Sequence, residues 1–250
     1  MGSGETMREE AGWSLGRRAL LGGLAAGFIL PGPLDAEPEA TVAPRLFAGT
    51  ALRDNRLALG FEKVNLPLPA VRVSNGAGTI DFDSLSGKTR IVTLWAEWCV
   101  PCLVEARDFA ALRRRYAGPD FDIVAVLTGS AEKLDYAGAA ARLHQSRVDG
   151  LPLLVERDGG RRLLLSLSPG PSGQGSLPCT LLVDASGRVR GRSHGAPFGG
   201  PVARDAAGKP VLRVLNQADK QALLASDRTT LWATPAGDAL VTALRSGLPR

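Results

Sequence analysis

The chain has 250 residues, 44% hydrophobic and 22% charged, with a formal net charge of +5. That is globular composition, long enough to close one packed core. Basic residues are scattered apart from Arg113-Arg114-Arg115 and Arg161-Arg162, and aromatic residues make up 5%, which excludes the basic, stacking surface that nucleic-acid binding needs. The three cysteines, Cys99, Cys102 and Cys179, are too few for a structural disulfide framework.

At the N-terminus, Arg17-Arg18 precedes an apolar run over residues 19–30, then Pro31-Gly32-Pro33 and the small-residue site Leu34-Asp35-Ala36. A charged start, a short apolar stretch and a small-residue cleavage site form an export signal. The paired arginines give it a loosely twin-arginine character. The run is shorter than the ~20 residues of a spanning helix, and an uncleaved membrane anchor is the second reading. Residues 1–36 are therefore read as an export signal or N-terminal anchor. Residues 37–65 read as a linker and lead-in, and residues 66–250 as one domain. Export places the thiols in an oxidising compartment.

From residue 66 the pattern tightens. Residues 70–73 read as a strand, Ser74-Asn75-Gly76 as a turn and residues 79–82 as a returning strand. Residues 90–95 form a buried strand. Cys102, Ala106, Phe109, Leu112 and Tyr116 recur at helical spacing, and Gly118-Pro119 ends that helix. Residues 121–127 are a buried strand. Ser130 is read as the cap of a second helix reaching Gln145, with Leu134, Ala137, Ala141 and Leu143 inward. Residues 151–155 form a short strand. Residues 161–167 fit helix or strand, and residues 168–176 are a loop. Residues 180–183 and 188–192 form a hairpin about Asp184-Ala185-Ser186-Gly187. Residues 195–230 read as an insertion, in which Asn216-Gln217-Ala218-Asp219 starts a short helix through Ala225. Thr234 and Pro235 open the last helix, with Leu240, Val241 and Leu244 facing the core. This order fits an α/β sandwich around a mixed central sheet.

The chemistry concentrates at Leu94-Trp95-Ala96-Glu97-Trp98-Cys99-Val100-Pro101-Cys102. Two thiols at this spacing can close a small disulfide and reopen it. A thiol at a helix N-terminus has its thiolate stabilised by the dipole and by free backbone N–H groups, which makes it a nucleophile. Cys99 is read as the partly exposed attacking thiol and Cys102, one turn in, as the buried resolving thiol. Pro101 suits the first helical turn, where its missing N–H costs nothing. No organic cofactor is called for, since the two sulfurs carry the electrons. A lone Cys pair also supplies too few ligands for a structural zinc site.

The strand leading to Trp-x-x-Trp-Cys-x-x-Cys and a helix resembles the thioredoxin superfamily. Three further features resemble its TlpA/ResA-like extracytoplasmic branch. These are the Cys-x-Pro-Cys-x-x-Glu pattern ending at Glu105, a hairpin before the Gly87-Lys88 that leads into the catalytic strand, and Leu177-Pro178 before a strand ending in Asp184-Ala185-Ser186-Gly187-Arg188. The resemblance implies a three-layer α/β/α sandwich with a mixed central sheet and an N-terminal hairpin extension. It implies a cis-proline at Pro178, a substrate groove formed by Trp98, Leu177 and Pro178, and a role for Glu105 in tuning thiol pKa or moving protons. It implies protein disulfide substrates, a membrane-bound electron donor and a periplasmic or membrane-tethered location. Cytochrome c maturation or copper-site assembly in respiratory oxidases is the implied setting. General thioredoxins carry a buried acid where this chain has Thr93, so proton transfer to a leaving Cys102 needs another group or water. Two other functions stay open at this level: a disulfide-introducing oxidase, and a copper-binding, metallochaperone-like module using Cys99, Cys102 and Cys179. Cys179, directly after Pro178, is read as a buried small hydrophobe, a third redox thiol or a soft Cu(I) ligand. The 168–176 loop is read as one wall of the groove. His144 and His194 are read as solvent or loop residues.

Overall fold

The computed structural model describes residues 60–170, 173–197 and 216–246. Within them β-branched and leucine-rich segments form the strands. These are β1 (Glu62–Pro67), β2 (Arg72–Ser74), β3 (Thr79–Asp81), β4 (Thr89–Trp95), β5 (Phe121–Leu127), β6 (Leu153–Glu156), β7 (Cys179–Val183) and β8 (Arg188–His194). The helices are α1 (Val100–Tyr116), α2 (Tyr136–Gln145), α3 (Arg162–Leu167), α4 (Gln217–Ala225) and α5 (Pro235–Arg245).

The strands make one mixed sheet in the order β1-β8-β7-β4-β5-β6-β2-β3. β4, β5 and β6 run parallel, and the remaining pairings are antiparallel. Side chains alternate between faces along each strand, so β4 divides its residues. Ile91 and Trp95 join one core cluster with Phe109 of α1, Leu143 of α2 and Leu240 of α5. Val92 and Leu94 join another with Leu163 and Leu167 of α3 and Phe82. This is a thioredoxin-like α/β fold, with helical elements packed on both faces of the sheet.

Two expectations are corrected, the start of the domain and the start and inward face of the second helix. The domain reaches back past residue 66: Glu62 and Lys63 pair with Arg192 and Gly191 of β8. Only Val64 and Leu66 of that edge strand face the core, so its apolar signal is short. The second helix begins at Tyr136 rather than near Ser130, because Asp135 accepts from Gly138 N at 2.8 Å and supplies the cap. Ser130 instead accepts from Leu134 N. With that start, Ala139 and Leu143 turn inward, while Ala137 and Ala141 are exposed. Residues 161–167 resolve as helix α3, whose N-terminal amides at Arg162 and Leu163 are accepted by the buried Glu156 carboxylate.

The described part of the 195–230 segment, read as an insertion, is bonded to the rest of the fold. Helix α4 carries the expected cap, with Asn216 and Asp219 bonding reciprocally. Arg107 of α1 donates to Leu224 O at 2.5 Å and Ser226 O at 3.0 Å. Arg147 donates to Leu224, Ala225 and Ser226 carbonyls. The chain then dives into the core at Thr230 and Trp232, which are 2% and 1% exposed.

Candidate active site

Strand β4 delivers the motif at its C-terminal end, and the turn Ala96–Cys99 closes with Cys99 N donating to Ala96 O at 3.0 Å. Cys99 is the N-cap of α1 and Pro101 lies in the first turn. Helix geometry therefore turns Cys102 back toward Cys99. The two are joined in a disulfide, Cα–Cα 5.3 Å. Cys99 is 4% and Cys102 0% exposed. The expected partial exposure of Cys99 is not met in the oxidised form, because the bond draws both sulfurs against the core.

Trp98 beside them is 49% exposed, with its indole N–H donating to Gly129 O at 3.1 Å. Glu97 is buried, and its Oε1 accepts from Glu132 N at 2.9 Å. Two bonds thus tie the motif turn to the segment after β5. The Leu177–Pro178 peptide is cis. It stands at the entry to β7, whose Cys179 pairs with Leu94 of β4, so Leu177 and Pro178 lie at the sheet end that bears the motif. The loop before them is closed at its base: Ser176 N donates to Ser168 O at 3.0 Å, and Ser168 Oγ donates to Ser176 O at 2.5 Å.

Behind the disulfide lies a buried acid. Glu105, one turn after Cys102 on α1, is 1% exposed. Its Oε1 accepts from the indole N–H of Trp232 at 2.8 Å. Thr93 of β4 and Thr180 of β7, paired across the sheet, lie near enough to lower the pH at which the same carboxyl ionises, although the buried Thr93 hydroxyl makes no hydrogen bond among the described residues. Oε2 has no hydrogen-bond partner among the described residues. Burial pushes the Glu105 carboxyl up to about 8, with the nearby Asp108 adding to the rise and the Trp232 bond opposing it. Loss of hydration penalises the charged form, and a single strong donor does not offset that loss. Near pH 7 the carboxyl is therefore mostly protonated.

Cys179 lies elsewhere. It is fully buried in the cluster with Leu94, Leu181 and Leu163, whereas Cys99 and Cys102 belong to the cluster on the other face. Burial pushes its thiol up to about 12, which suppresses thiolate chemistry. Among the described residues, no group of three or more His, Cys, Asp or Glu side chains is arranged to hold a metal ion. His144 is exposed and faces Asp149 at 2.8 Å. His194 is exposed at the end of β8, with Nδ1 3.2 Å from Ser168 Oγ.

Sequence reasoning missed Trp232, Thr230 and Asp108. Thr230 donates from its N–H and its hydroxyl to Asp108 Oδ2, at 2.6 and 2.7 Å. The available signal was the pair Glu105 and Asp108, two acids three residues apart in a helix stretch otherwise apolar except for Arg107.

A disulfide closed at a helix N-terminus beside the central strand, with a cis-proline at the neighbouring strand entry, defines a thioredoxin-like thiol-disulfide oxidoreductase with a redox-active Cys-x-x-Cys pair. The Redoxin family matches residues 63–206, more than half of the 250, and the chain belongs to that family. Among solved structures, it is similar to a Chlorobium tepidum protein assigned as the thiol:disulfide interchange protein DsbE. That match has 20% identity and a TM-score of 0.42, and covers 73% of this chain and 98% of that one. A thioredoxin-family thiol:disulfide interchange protein from Chlorobium tepidum TLS matches at 22% identity and TM-score 0.40, covering 53% and 87%. An exposed lipoprotein thioredoxin from Streptococcus pneumoniae strain TIGR4 matches at 22% identity and TM-score 0.37, covering 54% and 90%.

Proposed function

We propose that this chain reduces disulfides of partner proteins outside the cytoplasm, using Cys99 as nucleophile, Cys102 as resolving thiol and Glu105 as their proton carrier. The observation that carries this reading is the buried Glu105 carboxyl one helical turn from Cys102, in a form where the Cys pair is oxidised.

The cycle balances two electrons and two protons. Cys99 thiolate attacks a substrate disulfide, forming one S–S bond and breaking another; the first substrate sulfur leaves and takes a proton. Cys102 then passes its proton to Glu105 in its carboxylate form, the minor form near neutral pH, and attacks Cys99, closing the Cys99–Cys102 disulfide and expelling the second substrate thiolate. To reset the pair, a thiolate of a dithiol donor attacks Cys99. Cys102 leaves as thiolate, and Glu105 gives it the stored proton. The donor's second thiolate then attacks the mixed disulfide at its own sulfur and frees Cys99.

Trp98, half-exposed beside the pair, supplies an apolar wall to the substrate, and Leu177 with Pro178 meets its extended backbone. A membrane-bound dithiol protein fits the donor role. On the resemblance to the TlpA/ResA-like branch, the substrates are the thiol pairs of apocytochrome c or of copper sites in respiratory oxidases. Residues 1–36 act as export signal or anchor, and they lie outside the described residues. No helix among the described residues is long and apolar enough to cross a membrane. Copper carriage through all three cysteines is disfavoured by Cys179 facing away from the pair.

The direction of exchange tests the assignment. The pre-reduced chain, mixed with a disulfide-bonded model protein and excess dithiol, is expected to speed release of the model protein's thiols. The oxidised chain, mixed with a reduced, unfolded protein, is expected to introduce few disulfides. The opposite result would assign an oxidase.

A further inference from the structure

Trp232 is held from several sides. Its ring packs tilted on Phe109, centroids 4.7 Å apart, and edge-on to Phe61 at 5.9 Å. Its backbone N–H donates to Thr230 Oγ1, which itself donates to Asp108. Gly237 of α5 lies so close that a Cβ there would overlap the Trp232 carbonyl oxygen. The indole N–H therefore has one direction in which to point, and Glu105 Oε1 lies in it at 2.8 Å.

An indole nitrogen only donates. Oε1 therefore acts as an acceptor in both protonation states, which biases the carboxyl proton toward Oε2. That is the oxygen with no partner among the described residues.

We propose that Trp232, from the C-terminal turn, is a positioning residue of the redox site: it fixes the Glu105 carboxyl and biases the exchanged proton toward Oε2. This rests on the reading of Glu105 as the proton carrier. The bond also favours the carboxylate, so its loss raises the pH at which Glu105 ionises. The groups facing Glu105 are accounted for. On α1 this is Asp108; on β4 and β7 they are the uncharged Thr93 and Thr180. Cys179, further along β7, is within electrostatic reach but holds its proton. Asp108 has its own partner in Thr230, which Trp232→Phe leaves in place.

The test follows reduction of the Cys99–Cys102 disulfide by dithiothreitol from pH 5 to 10, normalised to dithiothreitol thiolate, in the full chain. The wild type is expected to slow as Glu105 ionises. Glu105→Gln is expected to lack that step. Trp232→Phe keeps an aromatic ring on Phe109 but lacks the donor. It is expected to move the midpoint upward by about a fivefold change in the ionisation constant, the scale of one hydrogen bond. In the Glu105→Gln background it is expected to change nothing further. If Glu105→Gln keeps the step, the proton-carrier reading fails. If Glu105→Gln loses the step but Trp232→Phe retains the wild-type midpoint, the Trp232 assignment alone is overturned. In the unaltered protein, the Trp232 indole N–H resonance is expected to titrate with the kinetic midpoint, and a pH-invariant resonance would also overturn the assignment. That measurement holds even where the variant does not fold.

Discussion

Replacing Cys102 by serine is expected to stop turnover while leaving the first half of the exchange intact. Cys99 keeps its position at the N-terminus of α1, so it still attacks a disulfide. Without the resolving thiol, the mixed disulfide between Cys99 and the substrate persists. Cys99→Ser, by contrast, removes the nucleophile and is expected to form no adduct. Cys102 is 0% exposed and sits inside the helix, away from a partner. Both variants lose the same cross-link, worth about 2 kcal/mol for so short a loop on the chain-entropy model. A shared loss of stability therefore cannot produce their different chemistry. Mass spectrometry after acid quenching checks it: an adduct of the substrate on Cys102→Ser, none on Cys99→Ser, and turnover at background for both.

Glu105→Gln is expected to change both kinetics and stability, in opposite senses across the pH range. The carboxyl is pushed up to about 8 in the fold, mainly by burial, against 4.5 for a free one. The folded state therefore binds this proton more tightly than the unfolded state. The contribution to stability is complete below about pH 4.5 and is lost as pH rises through about 8. Relative to wild type, the glutamine variant is expected to gain stability at pH 9, by an amount on the order of a few kcal/mol, and to gain little at pH 5. Denaturant melts of the oxidised proteins at those two pH values check the sign. The same variant is expected to slow resolution of the mixed disulfide, because Cys102 then has no base to take its proton.

Much of the fold was legible because local and global signals agree. The apolar runs at β4 and β5, the helical spacing after Cys102 and the Thr234-Pro235 start of α5 each answer to burial in one sheet-centred core. Legibility failed where few residues carry an element. β1 has two inward side chains on an edge strand, and the start of α2 turned on which of Ser130 and Asp135 bonds the first free amides. The site divides in the same way. Cys99, Cys102 and Glu105 follow one another at intervals of about one helical turn; the Cys pair was readable from spacing and Glu105 from the resemblance. Trp232 reaches Glu105 across 127 positions of chain, a contact that only the packed C-terminal turn creates. Cys179 shows the converse. Adjacency to Pro178 in sequence suggested adjacency to the disulfide, but one step along a strand changes the face of the sheet.

The most direct measurement is a redox titration of the full chain in graded dithiol–disulfide buffers, with Cys179→Ser alongside. A reversible two-electron couple confined to Cys99 and Cys102 is expected, with a midpoint below about −200 mV and near the thioredoxin value of roughly −270 mV. The Cys179→Ser variant is expected to give the same midpoint, since Cys179 faces the other core cluster. A midpoint near the strongly oxidising value of about −120 mV, a disulfide that includes Cys179, or no reversible couple at all would contradict a reducing Cys99–Cys102 pair.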